Sequence, residues 1–309
     1  MKHLIQYCLI VLMMVLCSSF SHKDPDPKKI TIRTYQFKKN LSLRNATLKL
    51  RYSLNKKKES ATDTADFKDK YFLVFEDNFD SLDTKKWRLG QAWGEFHPGY
   101  PHQYYSKEMI STEDGYLHLK GQYAPKTFPS GDSNIVIPLA IGLINSDISF
   151  KQKFGYFEIR SKNPSGAATW PAFWLTGANS WPPEIDIFEM YGKADGKNIH
   201  NQYATIHYGQ NDSKSRGFLT RKIKLPEDTD SSFHIYACEW TPEYIRFYTD
   251  GKAVAHIRLN KRLQEWMNDE MVVIINNSFE AEFTNKNQSI ESLKNDFVID
   301  YVRVYQFKN

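Results

Sequence analysis

The chain has 309 residues and a formal net charge of +5, a length that allows one large β domain or two smaller ones. Aromatic residues make up 15% of it, enough for a wide core with rings to spare. Residues 1–70 hold 15 Lys and Arg against 6 Asp and Glu, while residues 71–309 hold 26 against 30, so the balances are +9 and −4. The larger part is therefore mildly acidic and shows no basic stripe, which argues against nucleic acid as a partner.

Met1-Lys2-His3 followed by the apolar run Cys8 to Leu16 reads as a secretory signal peptide over residues 1–21, too short to span a bilayer. Small residues offer cleavage near Ser19 or Ser21. Cys17 opens a second reading, a lipoprotein leader with membrane anchoring through a lipidated cysteine. Leu16 before it argues against lipidation, and the polar tether Ser18 to Asp24 argues for it, so both readings stand. Either way the expectation is export: secreted, periplasmic or at the cell surface, as an outer-membrane lipoprotein in the anchored case. Residues 22–70 read as a basic extension. Asp24-Pro25-Asp26-Pro27 is stiff and polar, residues 30–35 and 47–54 alternate like short strands, and Lys56 to Asp66 is a solvated linker.

From Tyr71 to residue 309 short strands alternate with Gly, Pro, Asn and Asp, which predicts an all-β sandwich of two antiparallel sheets. One short helix is expected around Lys261 to Asn268. Cys238, the only cysteine outside the leader, lies in the strand-like run His234 to Trp240 and reads as a small core residue; no intrachain disulfide is available to the domain. There is no C-x-x-C pair or His cluster to suggest zinc.

The run Trp181-Pro182-Pro183-Glu184-Ile185-Asp186-Ile187-Phe188-Glu189-Met190-Tyr191 carries the chemistry. Strand side chains repeat every two residues, so Glu184 and Asp186 share a face. A regular strand would turn Glu189 the other way, and a one-residue bulge would bring it back. Three acids on one face repel, which keeps at least one of them protonated near neutral pH. Splitting a glycosidic bond with retention needs that asymmetry: one carboxylate to attack, one carboxylic acid to donate.

Several runs together resemble glycoside hydrolase family 16, which includes laminarinases, agarases, carrageenases and porphyranases. They are Gly155 to Arg160, Thr169-Trp170-Pro171-Ala172-Phe173-Trp174-Leu175, the acid strand, Ile206-His207-Tyr208, Glu239-Trp240-Thr241-Pro242, Ile245 to Gly251 and Asp300 to Tyr305. The resemblance spans about Phe72 to Gln306, and the acid motif is similar to the bulged E-x-D-x-x-E branch. It implies a β-jelly roll with a concave substrate cleft and an endo-acting retaining β-glycosidase. Glu184 would be the nucleophile, Glu189 the acid/base, and Asp186 the residue that assists Glu184. It puts Trp170 at the sugar-binding cleft and Trp174 nearer the core, with both kept as candidate binding residues. Trp181 would cap the cleft, and His207 would approach the acid/base. Asn276 or its neighbour Asn277 would face the cleft. No cofactor is required. A structural calcium is the one metal the resemblance suggests, with Asp300 and backbone oxygens near Asp77 as ligands.

The segment that shapes the glycone side in laminarinases differs here. Trp93-Gly94-Glu95-Phe96-His97-Pro98-Gly99-Tyr100-Pro101-His102-Gln103-Tyr104-Tyr105 lacks their Asn-Asn-Glu. Tyr100, His102 and Tyr104 offer rings in exchange. Lys193, Lys197 and, in a loop, Arg216 and Arg221 offer charge. The expected partner is a polysaccharide or oligosaccharide acted on by a monomer. A β-galactoside, sulfated or from a host glycan, is set ahead of the β-1,3-glucan of a laminarinase. Transglycosylation would use the same chemistry, and a non-catalytic carbohydrate-binding jelly roll is the reading from another class.

Overall fold

A computed structural model describes residues 65–192, 201–210, 214–225, 229–281 and 289–308. The leader, Cys17, the strand-like runs near 30 and 50, and Lys193 and Lys197 lie outside the described residues. No helix among the described residues is long and apolar enough to cross a membrane.

The strands in chain order are β1 (Tyr71–Asp77), β2 (Arg88–Leu89), β3 (Gln103–Tyr105), β4 (Ile110–Glu113), β5 (Tyr116–Ser130), β6 (Ser133–Ile141), β7 (Leu143–Asn145), β8 (Gly155–Lys162) and β9 (Thr169–Gly177). They continue as β10 (Glu184–Glu189), β11 (Asn201–Tyr208), β12 (Gly217–Lys224), β13 (His234–Trp240), β14 (Tyr244–Thr249), β15 (Lys252–Arg258), β16 (Met271–Phe279) and β17 (Lys294–Phe307). Among the described residues two short α-helices flank them, α1 (Ala65–Lys70) and α2 (Lys261–Trp266). Asn260 caps α2, its side chain accepting the Leu263 N–H at 3.0 Å.

Ten strands form one sheet along the path β15-β14-β13-β8-β17-β5-β6-β3, with β1 added on β17 and β4 on β5. Seven form the other in the order β12-β11-β10-β9-β16-β7-β2. The expected two-sheet sandwich is therefore present. Its pairs are antiparallel except β3 with β6, which run parallel. The core fills the space between the sheets. Phe157, Phe173, Leu175, Ile185, Phe188, Ile206, Trp240 and Phe247 are fully buried there. Cys238 joins them as a small apolar side chain.

The packed part of the chain begins a few residues before the expected boundary at Tyr71. Phe67 of α1 stacks on Tyr71 at 4.5 Å between centroids and meets Tyr156 and Tyr305 edge-on. Lys70 and the Tyr71 hydroxyl both bond to Glu239, a nearly buried carboxylate that these donors hold below the usual range against the penalty of burial. A buried acid without such partners would be costly, so α1 also serves to satisfy it.

Candidate active site

The acid strand β10 is third from the β12 edge of the seven-stranded sheet, between β9 and β11. Ile185 and Phe188 point into the sandwich, so Glu184, Asp186 and Glu189 line the opposite face. The bulge that returns Glu189 to that face is present. Along β11, Asp186 faces Thr205 and Glu189 faces Tyr203, three residues against two. Along β9, Asp186 faces Trp174 and Phe188 faces Phe173, which makes Ile187 the extra residue. Ile187 and Phe188 are consecutive and both fully buried, and that double apolar step fixes the bulge.

Register lays out the rest of the face. Thr176 on β9 and His207 on β11 flank Glu184, while Trp174 and Thr205 flank Asp186. Ala172 and Tyr203 flank Glu189, and Asn276 on β16 continues that row beyond Ala172. Each outer acid has an indole partner. Trp181 Nε1 donates to Glu184 Oε2 at 2.9 Å, and Trp170 Nε1 donates to Glu189 Oε1 at 2.9 Å. His207 Nε2 lies 3.3 Å from Glu184 Oε1 and 3.2 Å from Asp186 Oδ2.

These contacts set the charges. Burial is the main reason Glu189 is pushed up to about 8, with the Asp186 carboxylate adding to it; His207 and the Trp170 and Tyr191 donors oppose the rise. Glu189 is thus protonated at neutral pH. Burial also raises Glu184, but His207 and the Trp181 N–H pull it back toward the ionised form. Burial and Glu184 push Asp186 up to about 6, against the His207 hydrogen bond. Burial opposes charge on His207, yet Glu184 and Asp186 outweigh it and raise the imidazole to about 9. Ligand atoms of Glu184, Asp186 and His207 fall within 4.8 Å of one another, a spacing a metal could use. With the imidazole set against two carboxylates, the set forms an ion-paired cluster.

Other anticipated residues fall into place or move. Trp174 is on the cleft face rather than nearer the core, because it alternates with the buried Phe173 and Leu175; its Nε1 donates to Asn276 Oδ1 at 2.7 Å. Asn276 takes the cleft face, and Asn277 turns inward to Leu119 O and Asn295. His207 contacts Glu184 and Asp186, not the acid/base, since register sets it opposite Glu184. Tyr100 reaches the site, its ring 6.3 Å from Trp170. His102 lies 6.5 Å from Tyr100, its Nε2 3.0 Å from Phe279 O, and burial lowers its pKa. Tyr104 is unavailable for stacking: it is buried with Ile137 and Met109, and its hydroxyl donates to Ala124 O. Arg221 is on strand β12 and not in a loop, opposite the buried Ala204 and so turned from the cleft. Arg216 just precedes β12, with its guanidinium 5.3 Å from the Trp181 ring.

Asp300 gives its carboxylate to Arg160, and the two Asp77 oxygens accept from Phe79 N–H and Trp87 Nε1 at 2.9 and 2.8 Å. Of the ligands expected for calcium, the Asp300 carboxylate is thus shared with Arg160, and the Glu76 backbone oxygen beside Asp77 accepts from Lys86 Nζ at 2.7 Å; a calcium site would need several more oxygens than that one carboxylate.

Tyr191 was not anticipated. Its ring lies tilted against Trp170 at 5.5 Å, and it hydrogen-bonds Glu189. Period two from Glu189 would have found it. Phe218 is a second, 37% exposed and 5.9 Å from the His207 ring; the sequence around it carries no comparable signal.

Comparison with known proteins agrees with this geometry. The family model for the β-porphyranase A-D GH16 domain matches residues 72–307. Endo-1,3-1,4-beta-glycanase EglC of Rhizobium meliloti (strain 1021) is 35% identical over 173 residues, covering 55% of this chain and 34% of that protein. The keratan-sulfate endo-1,4-beta-galactosidase of Sphingobacterium multivorum is 27% identical over 254 residues, covering 76% of this chain and 55% of that protein. A solved structure from work on endo-acting O-glycanases with which prominent human gut microbiota members initiate mucin breakdown is similar at TM-score 0.64 and 25% identity, covering 77% of this chain and 91% of that one. Names of β-1,3- and β-1,3-1,4-glucanases recur among the other matches. The match spans about a third of the length of two R. meliloti glycanases, 33% and 34%. The two-sheet sandwich, the bulged acid strand with its acids on the face turned away from the core, and the match over residues 72–307 agree, and the chain belongs to glycoside hydrolase family 16.

Proposed function

We propose that the protein is an endo-acting, retaining β-glycoside hydrolase that cuts a polysaccharide or glycan backbone, with a β-galactoside favoured over a β-1,3-glucan. The observation that carries the reaction is the charge asymmetry along β10: Glu189 held protonated, Glu184 held by the Trp181 N–H and a cationic His207. Glu184 attacks the anomeric carbon while Glu189 donates its proton to the glycosidic oxygen. The C–O bond breaks, and the sugar is left as an ester on Glu184. Glu189, now a carboxylate, takes a proton from water, which opens that ester with net retention. Asp186 shares His207 with Glu184 and so orients the nucleophile.

Two observations support the galactoside reading. The matching family model is that of β-porphyranases, and one relative is named as a keratan-sulfate galactosidase. The Trp93–Tyr105 segment also lacks the Asn-Asn-Glu groups and brings the Tyr100 ring to Trp170 instead. A site that lacks hydrogen-bonding groups for particular hydroxyls discriminates poorly in favour of the sugar that carries them. The recurring glucanase names favour the β-1,3-glucan reading. Initial rates on laminarin, lichenan, agarose, porphyran, carrageenan and mucin-type glycans, with product masses, test the choice. A laminarin preference of about tenfold, ~1.4 kcal/mol in transition-state binding, would overturn the galactoside reading. No release from any of them would favour the binding-module reading.

A further inference from the structure

Strand β10 ends at Glu189, but the chain stays bound to β9 for three more residues. Met190 N–H donates to Pro171 O at 3.2 Å, and Gly192 N–H donates to Thr169 O at 2.8 Å. Met190 is fully buried, so Tyr191 returns to the side that Glu189 occupies. Gly192 permits this close pass. A Cβ there would collide with Gly166 O and Thr169 Oγ1, and the backbone would have to move.

The Tyr191 ring meets two others. It lies tilted against Trp170 at 5.5 Å and edge-on to Tyr203 at 5.1 Å. Those contacts need only a ring, and Phe would make them equally well. The hydroxyl does something else: it donates to Glu189, the carboxyl that Trp170 Nε1 also reaches at 2.9 Å. Burial and the carboxylates of Glu189 and Asp186 push the Tyr191 pKa well up, so the hydroxyl keeps its proton and remains a donor. Bonds to an ionised acceptor are about twice as strong as bonds to a neutral one. Two donors aimed at one carboxyl therefore favour the state in which it has lost its proton.

We propose that Tyr191 is a positioning residue for the proton-donating step: its hydroxyl, with the Trp170 N–H, stabilises the carboxylate left on Glu189 when the proton passes to the glycosidic oxygen. The inference rests on Glu189 being the acid of a glycoside hydrolase, and it adds to that reading a residue outside the three-acid motif. In that step the Glu189 O–H bond breaks and an O–H bond forms on the leaving oxygen. The negative charge that Glu184 loses on forming its ester appears on Glu189. Tyr191 keeps its own proton throughout. The stabilisation grows as the proton leaves, so it lowers the barrier only where the leaving group needs that proton.

The test is the leaving-group dependence of kcat/KM in the full chain carrying Tyr191→Phe, which keeps the ring. One substrate is an oligosaccharide of the polymer cut fastest in the panel above, whose sugar leaving group departs only with a proton. The other is the 2,4-dinitrophenyl β-glycoside of the same glycone, whose phenolate departs without one. Because kcat/KM reports only the steps through the first bond cleavage, the later use of Glu189 as a base does not enter. Tyr191→Phe should lower kcat/KM about tenfold on the oligosaccharide and less than about twofold on the aryl glycoside. With one donor gone Glu189 holds its proton to higher pH, so the alkaline limb on the oligosaccharide, expected at about pH 8 in the native chain, should move up. The ratio of the two rates on one preparation does not depend on how much of the variant is folded. Equal losses on both substrates, or an oligosaccharide loss below about twofold, would overturn the proposal and leave Tyr191 a packing residue. Glu189→Gln, run in parallel, should show the same split more strongly. If it shows the split and Tyr191→Phe does not, this inference alone falls. If Glu189→Gln loses equally on both substrates, Glu189 is not the acid, and the reaction reading falls together with the inference.

Discussion

The indole nitrogen of Trp170 lies 2.9 Å from Oε1 of Glu189, donated across from the neighbouring strand β9. The bond favours the ionised form of an acid that burial keeps protonated, so it limits how far Glu189 is raised.

Replacing that donor should therefore move the pH profile in a defined direction. In the native chain Glu189 must keep its proton to act, so kcat/KM should fall as pH rises through about 8. Trp170→Phe removes a contact that lowers this pKa, and the alkaline limb should shift to higher pH while the maximal rate falls. A limb that moved to lower pH, or stayed fixed, would contradict the assignment of Glu189 as the acid.

His207 governs the other limb. Its positive charge lies within hydrogen-bond reach of Glu184 and Asp186 and helps to keep both ionised. In His207→Asn the carboxyl pKa values should rise, that of Glu189 included, so both limbs of the profile move to higher pH. Activity near pH 6 should drop about tenfold to a hundredfold. An unchanged acidic limb would mean that His207 is only structural.

The sequence carried much of this arrangement. The two-sheet sandwich followed from strand spacing and turn residues, and the α2 helix from its local pattern. The bulge was legible because Ile187 and Phe188 sit side by side between acids, a break in alternation with one economical solution. Parity was harder where no such break exists. Tyr104 and Tyr105 look equivalent in sequence, and the parallel pairing of β3 with β6 decides which ring is buried. The inward turn of Arg221 likewise depends on register with Ala204. Trp174 was drawn toward the core by its company, Phe173 and Leu175, although period two puts it on the opposite face. The packing of α1 through Phe67 was hidden because its partners Tyr156 and Tyr305 lie far along the chain.

The bulge itself can be removed. Deleting Ile187, the extra residue, would leave the regular alternation Glu184-Ile185-Asp186-Phe188-Glu189, with Phe188 still inward and Glu189 still on the face of the other acids. The variant loses one buried side chain, so stability should drop by about 2–5 kcal/mol while far-ultraviolet circular dichroism shows the sandwich intact. Some hydrolysis should survive the deletion, whereas Glu189→Gln, which removes the proton donor, should fall much further. A folded deletion variant as inactive as Glu189→Gln would show that the acid is no longer presented on that face.

The central claim is that Glu184 attacks and Glu189 shuttles the proton. Azide rescue of two variants, with the product read by proton NMR, tests it most directly. In Glu184→Gly azide replaces the missing nucleophile in a single displacement, so an activated β-glycoside of the preferred sugar should yield the α-glycosyl azide. In Glu189→Gly the ester on Glu184 still forms, and azide should intercept it to give the β-glycosyl azide. The opposite pairing of variant and anomer would contradict the assignment of the two roles.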